Sequence, residues 1–175
     1  MSTLTPSQTI GPFFHEGLKW ALDAGEAKPT DGSVRVTGKV LDRDAKPAND
    51  ALLEIWQPAW AHGRFGGLQR VFTHEDGRFV FLMPAPVRQQ FHANVMIFAR
   101  GLLRGMLTRV YLHPSDDPAA LVLPAEVPAE RRGTLIARRI GQDDVRKGRS
   151  QVGDVYAWDI RLQGEGETVF FELQT

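Results

Sequence analysis

FHANVMIFAR, residues 91–100, is the stretch that decides the fold of this chain. Successive side chains of a β-strand point to opposite faces, so these residues divide into two alternating sets. One set is wholly apolar: Phe91, Ala93, Val95, Ile97 and Ala99. The other mixes polar and apolar groups: His92, Asn94, Met96, Phe98 and Arg100. Because buried polar groups need partners, we predict a strand covered on both sides whose second face is one wall of a candidate site. The alternative is that His92 and Asn94 are satisfied polar residues of the core.

Short strands separated by turn residues surround this central strand. Asp76-Gly77 is the strongest turn signal and predicts a hairpin between residues 69–73 and 78–82. Pro128 favours a short helix over residues 129–138. The other predicted strands cover residues 34–41, 51–57, 106–112, 155–163 and 168–173. This pattern predicts a mainly β fold, an antiparallel β-sandwich core with an extended N-terminal arm and one or two short helices.

The N-terminal residues differ from the rest of the chain. Two prolines and a glycine between residues 5 and 14 disfavour a helix and predict an extended arm. A short second helix over residues 15–24 and a polar linker follow it. We therefore predict an arm and linker over residues 1–32 and a single β domain over residues 33–175. The phenylalanine pair that ends the arm is expected to pack against its own domain or a partner chain.

Composition narrows the function classes. The 21 lysines and arginines balance the 21 aspartates and glutamates, so the chain has no overall positive field that would attract nucleic acid. It has no cysteine, which excludes disulfides and thiolate metal sites and is compatible with a reducing cytoplasm. No segment approaches the roughly 18 apolar residues of a membrane span, and the first residues do not resemble a secretory leader. We expect a cytoplasmic protein that binds neither nucleic acid nor membrane.

The sequence motifs of common enzyme chemistry are missing. The chain has no phosphate-binding glycine loop before a lysine, no Gly-x-Ser-x-Gly and no His-Glu-x-x-His. Its five histidines are scattered, without the His-x-His spacing that would point two imidazoles at one ion. A rearranged metal site that combines His92 with His62 or His74 and carboxylates is therefore the least favoured hypothesis.

Ordered motifs along nearly the whole chain resemble the intradiol ring-cleaving dioxygenases. These motifs are TPSQTIGPFF (5–14), LEIWQP (53–58), DGRF (76–79) and WDIRLQGEGET (158–168). Two others, FARG (98–101) and TLIARR (134–139), are similar to the alpha chains of the two-chain enzymes in this family. The resemblance implies a β-sandwich that assembles with a homologous beta subunit, and a small aromatic acid as the substrate that the assembly cleaves with O2.

The family holds Fe(III) through two tyrosines and two histidines, and the resemblance implies that this chain has lost most of that set. Phe65 stands after Gly-Arg where the family has its first tyrosine, and the second tyrosine has no counterpart in residues 84–87. The His-x-His strand appears as His92-Ala93-Asn94. Phe65, His92 and Asn94 are thus vestigial metal-site positions. We expect no metal and no catalytic residue in this chain, with Fe(III) in the partner beta subunit.

The resemblance also implies that the alpha chain completes the substrate pocket of its partner. By motif match the substrate-binding residues are Arg100, Thr9, Gly11, Pro12 and Phe13. Arg100 is the favoured one because a guanidinium can bind a ring carboxylate through two hydrogen bonds. Two alternatives remain. Arg100 could instead form an ion pair, for example with Glu54, and the chain could be a free-standing β-sandwich binding module that shares only the scaffold.

Overall fold

The computed structural model describes residues 33–57, 67–84, 91–112, 121, 123–142 and 152–172. These residues form nine strands and one 3-10 helix. The strands are β1 Ser33–Leu41, β2 Leu52–Trp56, β3 Leu68–Phe72, β4 Arg78–Pro84, β5 Phe91–Phe98, β6 Met106–Leu112, β7 Ile136–Gln142, β8 Val152–Ala157 and β9 Ile160–Arg161. The 3-10 helix, Ala129–Leu135, leads directly into β7. The predicted arm and the helix predicted over residues 15–24 lie outside the described residues.

The strands follow one continuous hydrogen-bonded path, β3-β2-β5-β6-β7-β8-β1-β4, with β9 paired to β1. Strand β7 joins two halves of this path. Its first residues, Ile136 and Ala137, pair with β6, and from Arg138 onward it pairs with β8. Buried side chains from both halves belong to a single hydrophobic cluster, so the halves pack face to face. The mainly β prediction is confirmed.

The sheet is mixed rather than purely antiparallel. The pairs β1–β8, β1–β9 and β6–β7 are parallel, and the other pairs are antiparallel. Alternation along a strand predicts which face each residue occupies, but it carries no information on the direction of the neighbouring strand. The three parallel pairs are therefore a feature that the sequence pattern did not predict.

The apolar face of β5 lies at the centre of the core. Ala93, Val95 and Ile97 are all 0% exposed, as the alternation predicts. In the opposite half, Phe79 packs edge-on against Trp158, with 6.3 Å between ring centroids. Gly38 lies beside this pair, and a Cβ there would overlap the carbonyl oxygen of Trp158. Close packing between the Trp158 loop and β1 thus requires glycine at this position.

The Asp76-Gly77 turn forms, but the predicted hairpin ladder does not. Gly77 has φ 75° and its N–H donates to His74 O at 2.8 Å, which makes a tight turn. The flanking strands then separate, because β3 pairs with β2 whereas β4 pairs with β1. They are linked again through a buried side chain. Gln69 Nε2 donates to Leu82 O at 2.7 Å, and Leu82 N donates to Gln69 Oε1 at 3.1 Å.

The helix predicted over residues 129–138 is wrong over its last three residues, 136–138. The chain leaves the 3-10 helix at Leu135 and continues as strand β7. Two pairings favour this outcome, that of Ile136 with β6 and that of Arg138 with β8. Tertiary pairing here overrides a weak local helix preference, which β-branched Ile136 already disfavours. Among the described residues, no helix is long and apolar enough to cross a membrane.

Candidate functional site

The second face of β5 forms a continuous surface with side chains of its neighbouring strands. The register places Asn94 between Trp56 of β2 and Arg109 of β6, and places His92 opposite Tyr111. Directly opposed residues of antiparallel strands point to the same side of the sheet. Phe171 reaches this surface because its backbone forms a bridge with Leu107 of β6. The outer cluster, as we use the term, consists of His92, Asn94, Arg109, Tyr111 and Phe171.

Arg109 is held from two directions within the outer cluster. Its Nε donates to Asn94 Oδ1 at 3.1 Å. Its guanidinium carbon lies 4.9 Å from the centroid of the Phe171 ring, within the range of a cation–π interaction. The Phe171 backbone is fixed in turn, since its N–H donates to Leu107 O at 2.7 Å. The positive charge of Arg109 therefore has a defined position beside Asn94.

His92 is half-buried and lies against Tyr111, with 5.3 Å between their ring centroids. Burial lowers the pKa of His92 below its ordinary value of 6.5, and the nearby charge of Arg109 lowers it further. The imidazole is consequently neutral at pH 7. Tyr111 is 2% exposed and packs with Val127, Leu135 and Val169 in a second, smaller hydrophobic cluster.

The outer cluster does not fit a ferric ion. Within the part of the chain that the structure describes, no group of three or more histidine, aspartate or glutamate side chains is placed to hold a metal. The amide oxygen of Asn94 already accepts a hydrogen bond from a cation. His74 lies in the exposed β3–β4 turn, so no described contact supports its combination with His92. Phe65 and His62 lie outside the described residues.

Arg100 lies apart from the outer cluster, in the turn that follows β5. Its Nε lies 2.8 Å from Asp50 Oδ2, and its side chain is 67% exposed whereas that of Asp50 is 23% exposed. Arg100 thus does form an ion pair, as the alternative interpretation expected, but its partner is Asp50 and not Glu54. Glu54 Oε1 instead accepts from Arg70 Nε across β2 and β3 at 2.6 Å. The contact with Asp50 uses only Nε, so the terminal nitrogens of Arg100 are not part of this ion pair. The predicted residues Thr9, Gly11, Pro12 and Phe13 lie outside the described residues.

The sequence interpretation missed Arg109, Phe171 and Asp50. Arg109 has a detectable signal, because alternation along β6 places it on the same face as Tyr111, and a hairpin centred near Gly101 would pair it with Asn94. Phe171 and Asp50 carry no comparable signal. Each contacts a residue that is distant in sequence, and neither contact follows from a periodic pattern.

Comparison with known proteins identifies relatives of this chain. The "Protocatechuate 3,4-dioxygenase alpha chain" of Burkholderia cepacia is 38% identical over 207 residues, an alignment that covers 99% of this chain and 100% of the relative. The chain belongs to the protocatechuate 3,4-dioxygenase alpha-chain family. The beta chain from the same organism is 29% identical over 189 residues, covering 93% of this chain and 77% of that one. The alpha-chain family is thus related in sequence to a beta chain. No protein-family model matches the chain.

Solved structures support the fold of this family member. The dioxygenase domain of a dioxygenase–carbohydrate-binding fusion from Streptomyces sp. SirexAA-E aligns with TM-score 0.54 and 20% identity, covering 79% of this chain and 84% of that domain. At this identity the likeness shows the fold alone. Together with the alpha-chain relative, it confirms the resemblance to dioxygenases that the sequence motifs indicated.

Proposed function

We propose that this chain is the alpha subunit of a protocatechuate 3,4-dioxygenase, whose assembly cleaves protocatechuate with O2 to 3-carboxy-cis,cis-muconate. Similarity to an alpha chain over nearly the full length supports the subunit assignment. Similarity to a beta chain supports an assembly of two related chains. The outer cluster is the observation that supports a chain without iron. Asn94, hydrogen-bonded to Arg109, stands where a metal site on this face would need a second histidine.

In this proposal the beta subunit holds the Fe(III). The ion, when bound there, would bind the substrate through its two hydroxyl oxygens and so activate the aromatic ring toward O2. The present chain supplies side chains that bind and orient the substrate, and its own outer cluster is a vestigial site. We also propose a cytoplasmic location, since a chain without cysteine needs no oxidising compartment.

Arg100 is proposed to bind the ring carboxylate of protocatechuate. Its side chain is largely exposed, it is oriented at one nitrogen by Asp50, and its terminal nitrogens are not used in that pair. A guanidinium in this state can meet a carboxylate through two parallel hydrogen bonds. By motif match, Thr9, Gly11, Pro12 and Phe13 of the arm are proposed to line the same pocket entrance.

Steady-state kinetics of the assembly reconstituted with its beta chain test this role. Arg100→Ala should raise the KM for protocatechuate about tenfold with little change in kcat, because a charged hydrogen-bonding contact contributes on the order of 1.5 kcal/mol. Arg104→Ala is the matched control, since Arg104 is another exposed arginine of the same turn, and it should leave KM unchanged. Catechol lacks the carboxylate and should show no difference between the wild type and Arg100→Ala. An unchanged KM in Arg100→Ala would remove Arg100 from the pocket.

Two measurements on the isolated chain test the subunit assignment itself. Elemental analysis should find negligible iron, and stoichiometric iron would contradict the vestigial site. Size-exclusion chromatography of a mixture with the beta chain should give a joint peak. A chain that elutes alone under all conditions would favour the free-standing binding module.

A further inference from the structure

Asn94, the next residue on the same face of β5 as His92, has no imidazole, and it also lies next to the positive charge of Arg109. Asn94 is the residue two positions along the strand from His92, on the same face, and its side-chain oxygen accepts from Arg109. The guanidinium is therefore located on the side of the strand toward which a His-x-His pair would direct its two imidazoles. A metal cation at that place would be close to a fixed unit charge.

The surroundings of Arg109 keep the charge in place. The side-chain amide oxygen of Asn94 and the electron-rich face of the Phe171 ring both favour a cation. The nearest acidic residue on β2, Glu54, faces Met96 and is engaged with Arg70 at 2.6 Å. Burial and the nearby charge of Arg109 lower the pKa of His92, which keeps its imidazole in the neutral form that can bind a metal. What opposes a metal cation on this face is therefore the charge of Arg109 and not the protonation of His92.

We infer that Arg109 is an internal replacement for the metal ion: its guanidinium, held between Asn94 Oδ1 and the Phe171 ring, supplies the positive charge of this face and excludes a metal cation. This inference rests on the proposed role as a subunit without iron, and it goes further. If the site had only lost ligands, restoring one histidine would begin to restore metal affinity. If Arg109 replaces the metal, restoring the histidine is ineffective while the guanidinium remains.

Cobalt(II) binding to the full chain separates these two cases, because its visible absorption reports on nitrogen ligands. The variants are Asn94→His, Arg109→Gln and the double variant Asn94→His/Arg109→Gln. We expect Asn94→His to bind Co(II) no more tightly than the wild type. The double variant should bind at least about tenfold more tightly than Asn94→His, since a divalent ion no longer faces a unit charge a few ångströms away. The matched control, Asn94→His/Arg109→Lys, keeps a positive charge and should stay as weak as Asn94→His.

Two outcomes would overturn the inference: Asn94→His binding Co(II) as tightly as the double variant, or the double variant gaining nothing over Asn94→His. Should the double variant fail to fold, Asn94→His/Arg109→Met, which removes the charge and keeps a long side chain, decides in its place by the same Co(II) titration. It should bind Co(II) at least about tenfold more tightly than Asn94→His, and no gain over Asn94→His would overturn the inference. Failure of the proposed function would look different, since it would appear as a chain that elutes apart from the beta chain in size-exclusion chromatography.

Discussion

The two faces of β5 share one backbone and differ in almost everything else. On the inner face, Ala93, Val95 and Ile97 are all 0% exposed and contact only the core. On the outer face, His92 and Asn94 are half-buried and make polar or ring contacts with β6. The inner face holds the two halves of the sheet together, whereas the outer face determines which chemistry the strand can support.

In the proposed subunit, this difference explains how a chain can keep its fold without a metal site. Replacing a residue on the outer face changes a hydrogen-bonding partner, and the partner can be supplied by a neighbouring strand, as Arg109 supplies it to Asn94. Replacing a residue on the inner face leaves a cavity or a clash in a close-packed cluster. Divergence in function is therefore least costly on the outer face. The following predictions test this contrast.

The largest effect is expected on the inner face. Ile97→Ala should lower the free energy of unfolding by about 2–5 kcal/mol, because it removes fully buried methyl groups and leaves a cavity. Met96→Ala, the adjacent residue on the outer face, should cost less than half of that amount. Urea denaturation of both variants measures the difference. Equal losses would mean that the two faces contribute alike to stability.

On the outer face, Asn94→Leu should lower the free energy of unfolding by roughly 1.5 kcal/mol. The change removes the acceptor of a charged hydrogen bond and leaves the half-buried Arg109 guanidinium poorly solvated. Asn94→Asp keeps an acceptor oxygen at the same place and should retain most of the stability. The same urea assay compares them, and a neutral Asn94→Leu would show that the contact with Arg109 contributes nothing.

Asp50, which precedes β2, is expected to act as a positioning residue for Arg100 in the turn after β5. Asp50→Asn should raise the KM of the reconstituted assembly about threefold, since an exposed ion pair contributes on the order of 0.2–1 kcal/mol. The increase should be smaller than that of Arg100→Ala, and kcat should stay unchanged. A wild-type KM in Asp50→Asn would show that Arg100 needs no orientation from this carboxylate.

The smallest effect concerns the pH dependence of stability. The pKa of His92 is lowered in the folded chain, so near and below pH 6.5 the unfolded chain binds the proton more readily than the folded chain does. The free energy of unfolding should therefore decrease as the pH falls from 6.5 toward the folded pKa. His92→Gln should reduce this slope. Parallel pH profiles for wild type and His92→Gln would contradict the expected burial effect.

Local pattern predicted some parts of this molecule well and others not at all. Alternation identified the two faces of β5, and it placed β6 at Met106–Leu112 as observed. It could not predict that β3 and β4 separate after the Asp76-Gly77 turn, because a turn signal does not specify strand pairing. Local pattern also could not predict strand β7, because its pairing with β6 and β8 arises only in the assembled sheet.

The candidate site shows the same limit. Motif resemblance drew attention to His92, Asn94 and Arg100, which all lie between residues 92 and 100. The residues that define their environment, Arg109 and Asp50, come from other strands or loops and are brought near only by folding. The sequence therefore drew attention to these positions, and the structure was needed to find what contacts them.

Gln69 has a further consequence for the behaviour of this chain in a crowded solution. Its side-chain amide exchanges two hydrogen bonds with the backbone of Leu82, which is the exchange that a neighbouring antiparallel strand would make. The unpaired edge of a terminal strand is a template for intermolecular sheet growth. At Leu82 that template is already occupied by the chain itself, because Gln57 Nε2 also donates to Leu82 O, at 3.0 Å. This point on the edge of the sheet is therefore closed to the backbone of a second chain.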